Sequence, residues 1–255
     1  QKAVEKAVER INNKELDKVV LTRDLNALSD KKIDIKKVLL NLSIDYPECW
    51  TFSVDGLIGA TPELLVRKTS DQVLSRVLAG TIKRDDSATD SEIEVALLQS
   101  GKDLEEHEFA VSSVATALAL HCTDMNVPKA PKVLRLANVA HLATDVSGTL
   151  VDSAPALVLA GSLHPTAAIC GTPTGRAKQL INELERMKRN RYTGPVGWIN
   201  SKGDGELGIA LRCAEIKENT ARLFAGCGIV SGSTAEDELI ESNAKFSAMR
   251  NALTN

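Results

Sequence analysis

With 255 residues, 43% of them hydrophobic and 25% charged, the chain has ordinary globular usage and enough apolar content for a sizeable core. A net charge of −3 with both signs interspersed excludes the basic field that nucleic acid or an acidic membrane surface requires, and no stretch approaches the roughly 18 uninterrupted apolar residues of a membrane span. Five cysteines, widely spaced and without a CxxC pair, signal neither a disulfide framework nor a zinc site and read as buried thiols of a cytoplasmic protein.

Residues 1–15 place Ala3, Val4, Ala7, Val8 and Ile11 at helical spacing on a charged amphipathic helix that lacks the apolar core of a signal peptide. KVVLTR (18–23) reads as a strand and DKKIDIKKVLLNL (30–42) as a second helix. Residues 51–84 read as a strand meander, TFSVDGLIGA, ELLVRKT and VLSRVLAGTIKR, turning at Ser70, Asp71 and Gln72. The Ala-rich stretch 90–120 is helical and broken near Gly101, 131–152 is extended, and 174–189 is a helix burying Leu180, Ile181, Leu184 and Met187. From 194 to 230, three strand-like runs joined by NSKGDG and KENT predict two hairpins. The final helix starts at Ser233, where S-T-A-E fits a capping box closed by Glu236. Strands and helices thus come in blocks, which predicts an α+β fold on a large antiparallel sheet. With no repeat or low-complexity tract, residues 1–255 read as a single domain.

Several polar positions invite a function beside a plainer reading. GDGELG (203–208) matches a nucleotide-binding glycine pattern, but its continuation, LGIALRCAEI, is strand-like, so it reads as a hairpin turn. Along that run, two-residue alternation sets Arg212 among Gly208, Ala210 and Ala214, with room to fork onto a ligand carboxylate or to reach solvent at an edge. Asp103 and Glu106, and again Glu238 and Glu241, lie at i, i+3 on helices; each pair alone is a solvated acidic face, and two facing pairs would make an oxygen cage for Mg²⁺. Lys245 shares the stripe of Glu238 and Glu241, opposite Leu239, Phe246 and Met249. Lys18 among apolar neighbours is a base if desolvated and a solvent-reaching strand end if not, and Glu63 reads equally as an exposed strand cap.

The order KVVLTR, GATPELLVRK, LAGTIKR, KDLEEHEF, NVAHLATDVSG, LHPTAAICGTP, YTGPVGW, GDGELGIALRCAEI, LFAGCGIVSGS and ELIESNAKF resembles the catalytic domain of the chorismate-utilising enzymes from about residue 14 to 250, and most of all their isochorismate synthase members. The resemblance implies a β-sandwich flanked by helices and a single chorismate-binding catalytic domain lacking the amino-terminal region that relatives carry. It implies Lys18 as the base that activates water and Glu63 as the acid that protonates the departing hydroxyl. Glu106 and Glu241 are then the Mg²⁺-associated carboxylates, supported by Asp103 and Glu238. Arg212 and Lys245 hold substrate carboxylates, His141, Tyr192, Phe224, Ala168, Ile169 and Leu211 line the pocket, and Gly80, Thr81, Gly226 and Gly228 bring backbone to the ligand. The lysine at 18 and the wording of LHPTAAICGTP favour water over ammonia as nucleophile, so chorismate is the expected partner and no glutaminase subunit is expected. Salicylate synthase, which also eliminates pyruvate, and an inactive chorismate-binding protein are the alternatives. Asn190 stands where relatives commonly have glycine.

Overall fold

The computed structural model describes residues 1–84 and 88–254. In chain order it contains α1 (Lys2–Asn12), β1 (Lys18–Leu28), α2 (Ile35–Asp45), β2 (Trp50–Val54), β3 (Leu57–Thr61), β4 (Leu64–Thr69), β5 (Gln72–Lys83), α3 (Asp90–Gln99) and α4 (Gly101–Leu118). Next come β6 (Cys122–Asn126), β7 (Lys132–Arg135), β8 (Val139–Leu150), α5 (Ala156–Leu163), β9 (Gly171–Thr172) and α6 (Thr174–Leu184). The chain ends with β10 (Pro195–Ile199), β11 (Gly205–Ile209), β12 (Cys213–Lys217), β13 (Thr220–Ile229) and α7 (Ala235–Thr254). The α+β class read from the sequence is the observed one.

The strands form two antiparallel sheets, one ordered β2-β3-β12-β13-β1-β9 and the other β10-β11-β4-β5-β8-β6, with β7 also on β8. The expected meander over 51–84 is therefore corrected: β2 and β3 belong to the first sheet, β4 and β5 to the second. The chain crosses between sheets at Pro62 and Glu63, because proline donates no ladder hydrogen bond. LGIALRCAEI is corrected in the same way. It breaks at residues 210–212, where Arg212 takes a φ of +47°, so β11 pairs β4 in one sheet and β12 pairs β3 in the other. Four strands, not three, fill 194–230, and the face inferred for Arg212 from two-residue alternation does not exist.

Four helix boundaries and one helix face follow from side chains. α3 begins at the Thr89–Glu92 capping box, and α4 at Ser100, whose Oγ accepts from Asp103 N; this second cap splits the helical stretch at Gly101. α6 stops at Leu184, short of the expected 189, because Glu185 is extended and its carboxylate accepts from Thr22 N at 2.7 Å and from Arg189. α7 is capped by Thr234, whose Oγ1 accepts from Asp237 N, while Ser233 Oγ accepts from Val230 N; the cap expected at Ser233 moves by one residue. Leu239 remains 40% exposed, whereas Phe246 and Met249 pack against Ala225 and Leu223 as expected.

Apolar packing seals the outer faces. The β4–β5–β8 face packs on α4 and α5 around Leu65, Val77, Leu118 and Leu159, and β12–β13 packs on α2 and α7 around Leu42, Leu223 and Phe246. Burying such residues is the main drive for the arrangement. Leu159→Ala, at a position with no exposed surface, is expected to lower unfolding free energy by about 2–5 kcal/mol. A shifted denaturant midpoint at unchanged m-value checks this.

Candidate functional site

Where the two strand pairs change sheets, a gap opens between the sheets, and the corner residues point into it. Ala60 N donates to Arg212 O and Ile209 N to Glu63 O, so Glu63 and Arg212 are pinned by backbone on facing strands. Both side chains are buried and both line a concave cavity between the sheets in which polar groups converge, the kind of place where small molecules bind. The Glu63 carboxyl makes no hydrogen bond among the described residues, and burial pushes its pKa up to about 8 against the pull of Lys18 and Arg212. Arg212 donates to His141 Nε2 at 2.8 Å, and its Nε is buried without a partner among the described residues. Because a guanidinium only donates, His141 Nε2 accepts and the ring proton sits on Nδ1, 3.0 Å from Thr81 Oγ1. Burial and then the Arg212 charge hold His141 far below its ordinary pKa, so it stays neutral.

Helix α4 explains the spacing of Asp103 and Glu106. The β5–β8 ladder slips between Ala79 and Thr81, and Gly80, at φ +72°, turns its amide out of the sheet. Glu106 Oε2 accepts from Gly80 N and Asp103 Oδ1 from Thr81 N, each at 3.0 Å, so two acids one helical turn apart hold two successive amides. His107 supports the same bulge: it lies 3.2 Å from Ala79 O through Nδ1 and 2.8 Å from Thr144 Oγ1 through Nε2, and burial lowers its pKa to about 4.

On β13, Gly226 and Gly228 face the cavity because a side chain there would collide; a Cβ on Gly228 lands on Glu106 Oε1 and 3.0 Å from Lys18 Cε. Lys18 has no exposed surface; its Nζ is 3.2 Å from Glu106 Oε1, one layer behind the cavity lining. Lys245 Nζ donates to Gly226 O at 2.9 Å and pairs with Glu241. Glu238 pairs with Lys102 at 2.5 Å, and its Oε2 is buried without a partner among the described residues. Burial and then the Glu241 charge raise Glu238 to about 7. The polar stripe of α7 is thus buried and paired, not solvated.

The cavity lining brings together Glu63, Thr81, Glu106, His141, Ala168, Ile169, Tyr192, Leu211, Arg212, Gly226, Gly228 and Lys245. Phe224 lies outside it, stacked on Tyr192 with centroids 5.1 Å apart, and Gly80 contributes through its amide. Asp103 does not join the acidic cluster, since its oxygens are taken by Thr81 N and Ser100 Oγ. Glu238 and Glu241 come together with Cys227, their ligand atoms within 4.8 Å of one another. The sequence reading omitted Val20, Pro62, Leu78, Ala79 and Thr193 from the lining and Lys102 from the charge set. Val20 was available from alternation with Lys18 on one strand; the others depend on tertiary packing. Asn190, at φ +50°, occupies the left-handed region that asparagine tolerates, and its side chain donates to Glu215.

Residues 1–254 match the family described as chorismate binding enzyme. The chain belongs to the chorismate binding enzymes. Isochorismate synthase DhbC of Bacillus subtilis (strain 168) is 40% identical over 263 residues, covering 98% of this chain and 66% of that protein. Isochorismate synthase MenF of the same organism is 38% identical over 257 residues, covering 99% of this chain and 55% of that one. The crystal structure of DhbC from Bacillus anthracis superposes with a TM-score of 0.94 at 42% identity, over 99% of this chain and 70% of the other. This chorismate binding enzyme therefore spans between 55% and 66% of the length of those two curated relatives. Its two-sheet α+β architecture is that of the solved relative.

Two expectations arise from the geometry. Gly228→Ala displaces Glu106 from Lys18 and Gly80, so ligand binding measured by calorimetry should fall while the far-ultraviolet circular dichroism persists. Folded Glu63 keeps its proton to about pH 8 and the unfolded chain releases it near 4.5, so this residue makes stability fall as pH rises through that window. Glu63→Gln should remove the decline, and its thermal midpoint relative to the unsubstituted protein should rise between pH 5 and pH 8.

Proposed function

We propose that this chain forms a chorismate-binding catalytic domain and is an isochorismate synthase: water adds at C2 of chorismate as the C4 hydroxyl leaves. The observation that carries the reading is a carboxyl held protonated at neutral pH, Glu63, in the cavity lining, with a fully buried lysine, Lys18, one layer behind that lining. One supplies a proton and the other accepts one, as the reaction needs. The 38–40% identity to proteins named isochorismate synthase supports the same choice.

Chorismate is a dianion. Arg212, with its unpartnered Nε, and Lys245 are the buried cations facing the cavity, and each suits one carboxylate. Lys245 holds its proton firmly: burial pulls its pKa down, but Glu241 and other neighbouring acids outweigh that. Tyr192, braced by Phe224, and Leu211 and Ile169 supply the apolar wall for the ring. Lys18, held 3.2 Å from Glu106, is the group that takes a proton from water. Glu63 then delivers its proton to the departing hydroxyl.

The acidic groups fit a hard cation. Glu238 and Glu241 are oxygen donors brought together on α7, and the partnerless Oε2 of Glu238 is a buried acceptor that a cation satisfies; Glu106 is not grouped with them and holds Gly80 N and Lys18. Mg²⁺ held there by Glu241, with Glu238 beside it, would neutralise the substrate ring carboxylate against the protein's own acids. Asp103 serves instead by fixing the Thr81 amide.

Incubation of the purified chain with chorismate, with and without Mg²⁺, and separation of products by chromatography and mass is expected to give Mg²⁺-dependent isochorismate. Salicylate with pyruvate, or no conversion by folded protein, would contradict the assignment. Lys18→Ala and Glu63→Gln are each expected to keep substrate binding and lose about 10²–10⁴-fold in turnover. In the unsubstituted enzyme, turnover should fall as pH rises past about 8, where Glu63 loses its proton.

A further inference from the structure

Cys227 lies between Gly226 and Gly228 on β13, and strand alternation turns it away from the cavity towards α7, where its Sγ donates to Glu238 O at 3.4 Å. Its Sγ and one oxygen from each of Glu238 and Glu241 lie within 4.8 Å of one another. The thiol is 4% exposed and Glu238 3% exposed, with Glu238 Oε2 unpartnered among the described residues. A groove bounded by Ala3, Val4, Leu21, Ala235 and Leu239 opens onto both Cys227 and Glu238 and gives a route from solvent.

We propose that Cys227, Glu238 and Glu241 form a binding site for a thiophilic divalent cation of the Zn²⁺ class, sharing two carboxylates with the Mg²⁺ position. The consequence for catalysis rests on the function proposed above; the binding itself does not. A thiolate and two carboxylates supply three ligands and leave a fourth position for water, the open tetrahedral arrangement that Zn²⁺ accepts. Mg²⁺ requires octahedral oxygen and gains nothing from sulfur, so the thiol gives the site a preference the carboxylates alone lack. Metal–ligand distances of about 2.0–2.3 Å require the three atoms to draw closer together, with Lys102 giving up Glu238 and Lys245 giving up an oxygen of Glu241. On binding, the Cys227 S–H bond ionises, the sulfur keeps the electron pair and coordinates the metal, and the proton leaves to solvent; nothing is oxidised or reduced. Occupation holds Glu238 and Glu241 on the sulfur side of β13 and makes such cations competitors of Mg²⁺.

Titration of the metal-free protein with CdCl₂, followed by the ultraviolet charge-transfer absorption of a thiolate–Cd²⁺ bond, tests the site without chorismate or Mg²⁺. The expected result is saturation at one equivalent, loss of the signal in Cys227→Ala, and its retention in Cys49→Ala, which removes the most exposed thiol. Zn²⁺ should displace Cd²⁺, and its affinity should fall at least about tenfold in Cys227→Ala while Mg²⁺-dependent turnover is kept. Should the alanine variant fold poorly, Glu238→Gln keeps the thiol in place and should weaken Cd²⁺ binding with the charge-transfer band intact at saturation. A signal that survives Cys227→Ala, a signal lost in Cys49→Ala, or unchanged Zn²⁺ affinity would each overturn the proposal. Absence of chorismate turnover beside an intact Cys227-dependent signal would count against the proposed function and not against this site.

Discussion

The corner at which two paired strands leave one sheet for the other governs the rest of the molecule. β3 pairs β12 on one side of it and β4 pairs β11 on the other, so the ladder is continuous in sequence but divided in space. Pro62 interrupts one strand by lacking an amide proton, and Arg212 interrupts its neighbour by adopting a positive φ. The sheets part at that line, and the residues at the break cannot take ordinary places in either face. Glu63 and Arg212 are therefore delivered into the gap by backbone geometry, which fixes them more firmly than a flexible loop could.

Burying so many ionisable groups demands balance, because an unpaired charge in a dry interior is costly. Lys18 meets Glu106, Lys102 meets Glu238, and Lys245 meets Glu241. Glu63 escapes the need for a partner by keeping its proton. Arg212 keeps one donor without a partner among the described residues, and that unmet demand is an anion-binding capacity stored in the fold. The pairing also couples the parts of the site: a ligand that draws on Lys245 or Glu106 changes the partner left behind.

The glycines and the bulge serve this chemistry through space. Gly228 makes room for the Glu106–Lys18 pair, and the slip at Gly80 turns two amides toward α4. The two acids of α4 thus have distinct tasks in spite of identical chemistry, with Asp103 spent on backbone and Glu106 shared between backbone and lysine. On α7 the same i, i+3 spacing sets Glu238 and Glu241 beside a thiol instead.

Much of this was legible in the chain. Period-two and period-3.6 patterns reveal local structure because they depend on neighbours within one element, and so the amphipathic first helix, the break at Gly101 and the strand at Lys18 could be read directly. The order of motifs identified the family and named Glu63, Arg212 and the acids of α4 and α7. Alternation failed at Arg212, and the meander failed at Pro62, because both assumed that a strand remains in one sheet. Which sheet a strand joins, whether an acidic stripe is solvated or paired, and whether Asp103 faces a cavity or an amide depend on partners far away in sequence. Hydrophobic periodicity carries no information about those partners; the close packing of two sheets and their helices decides them.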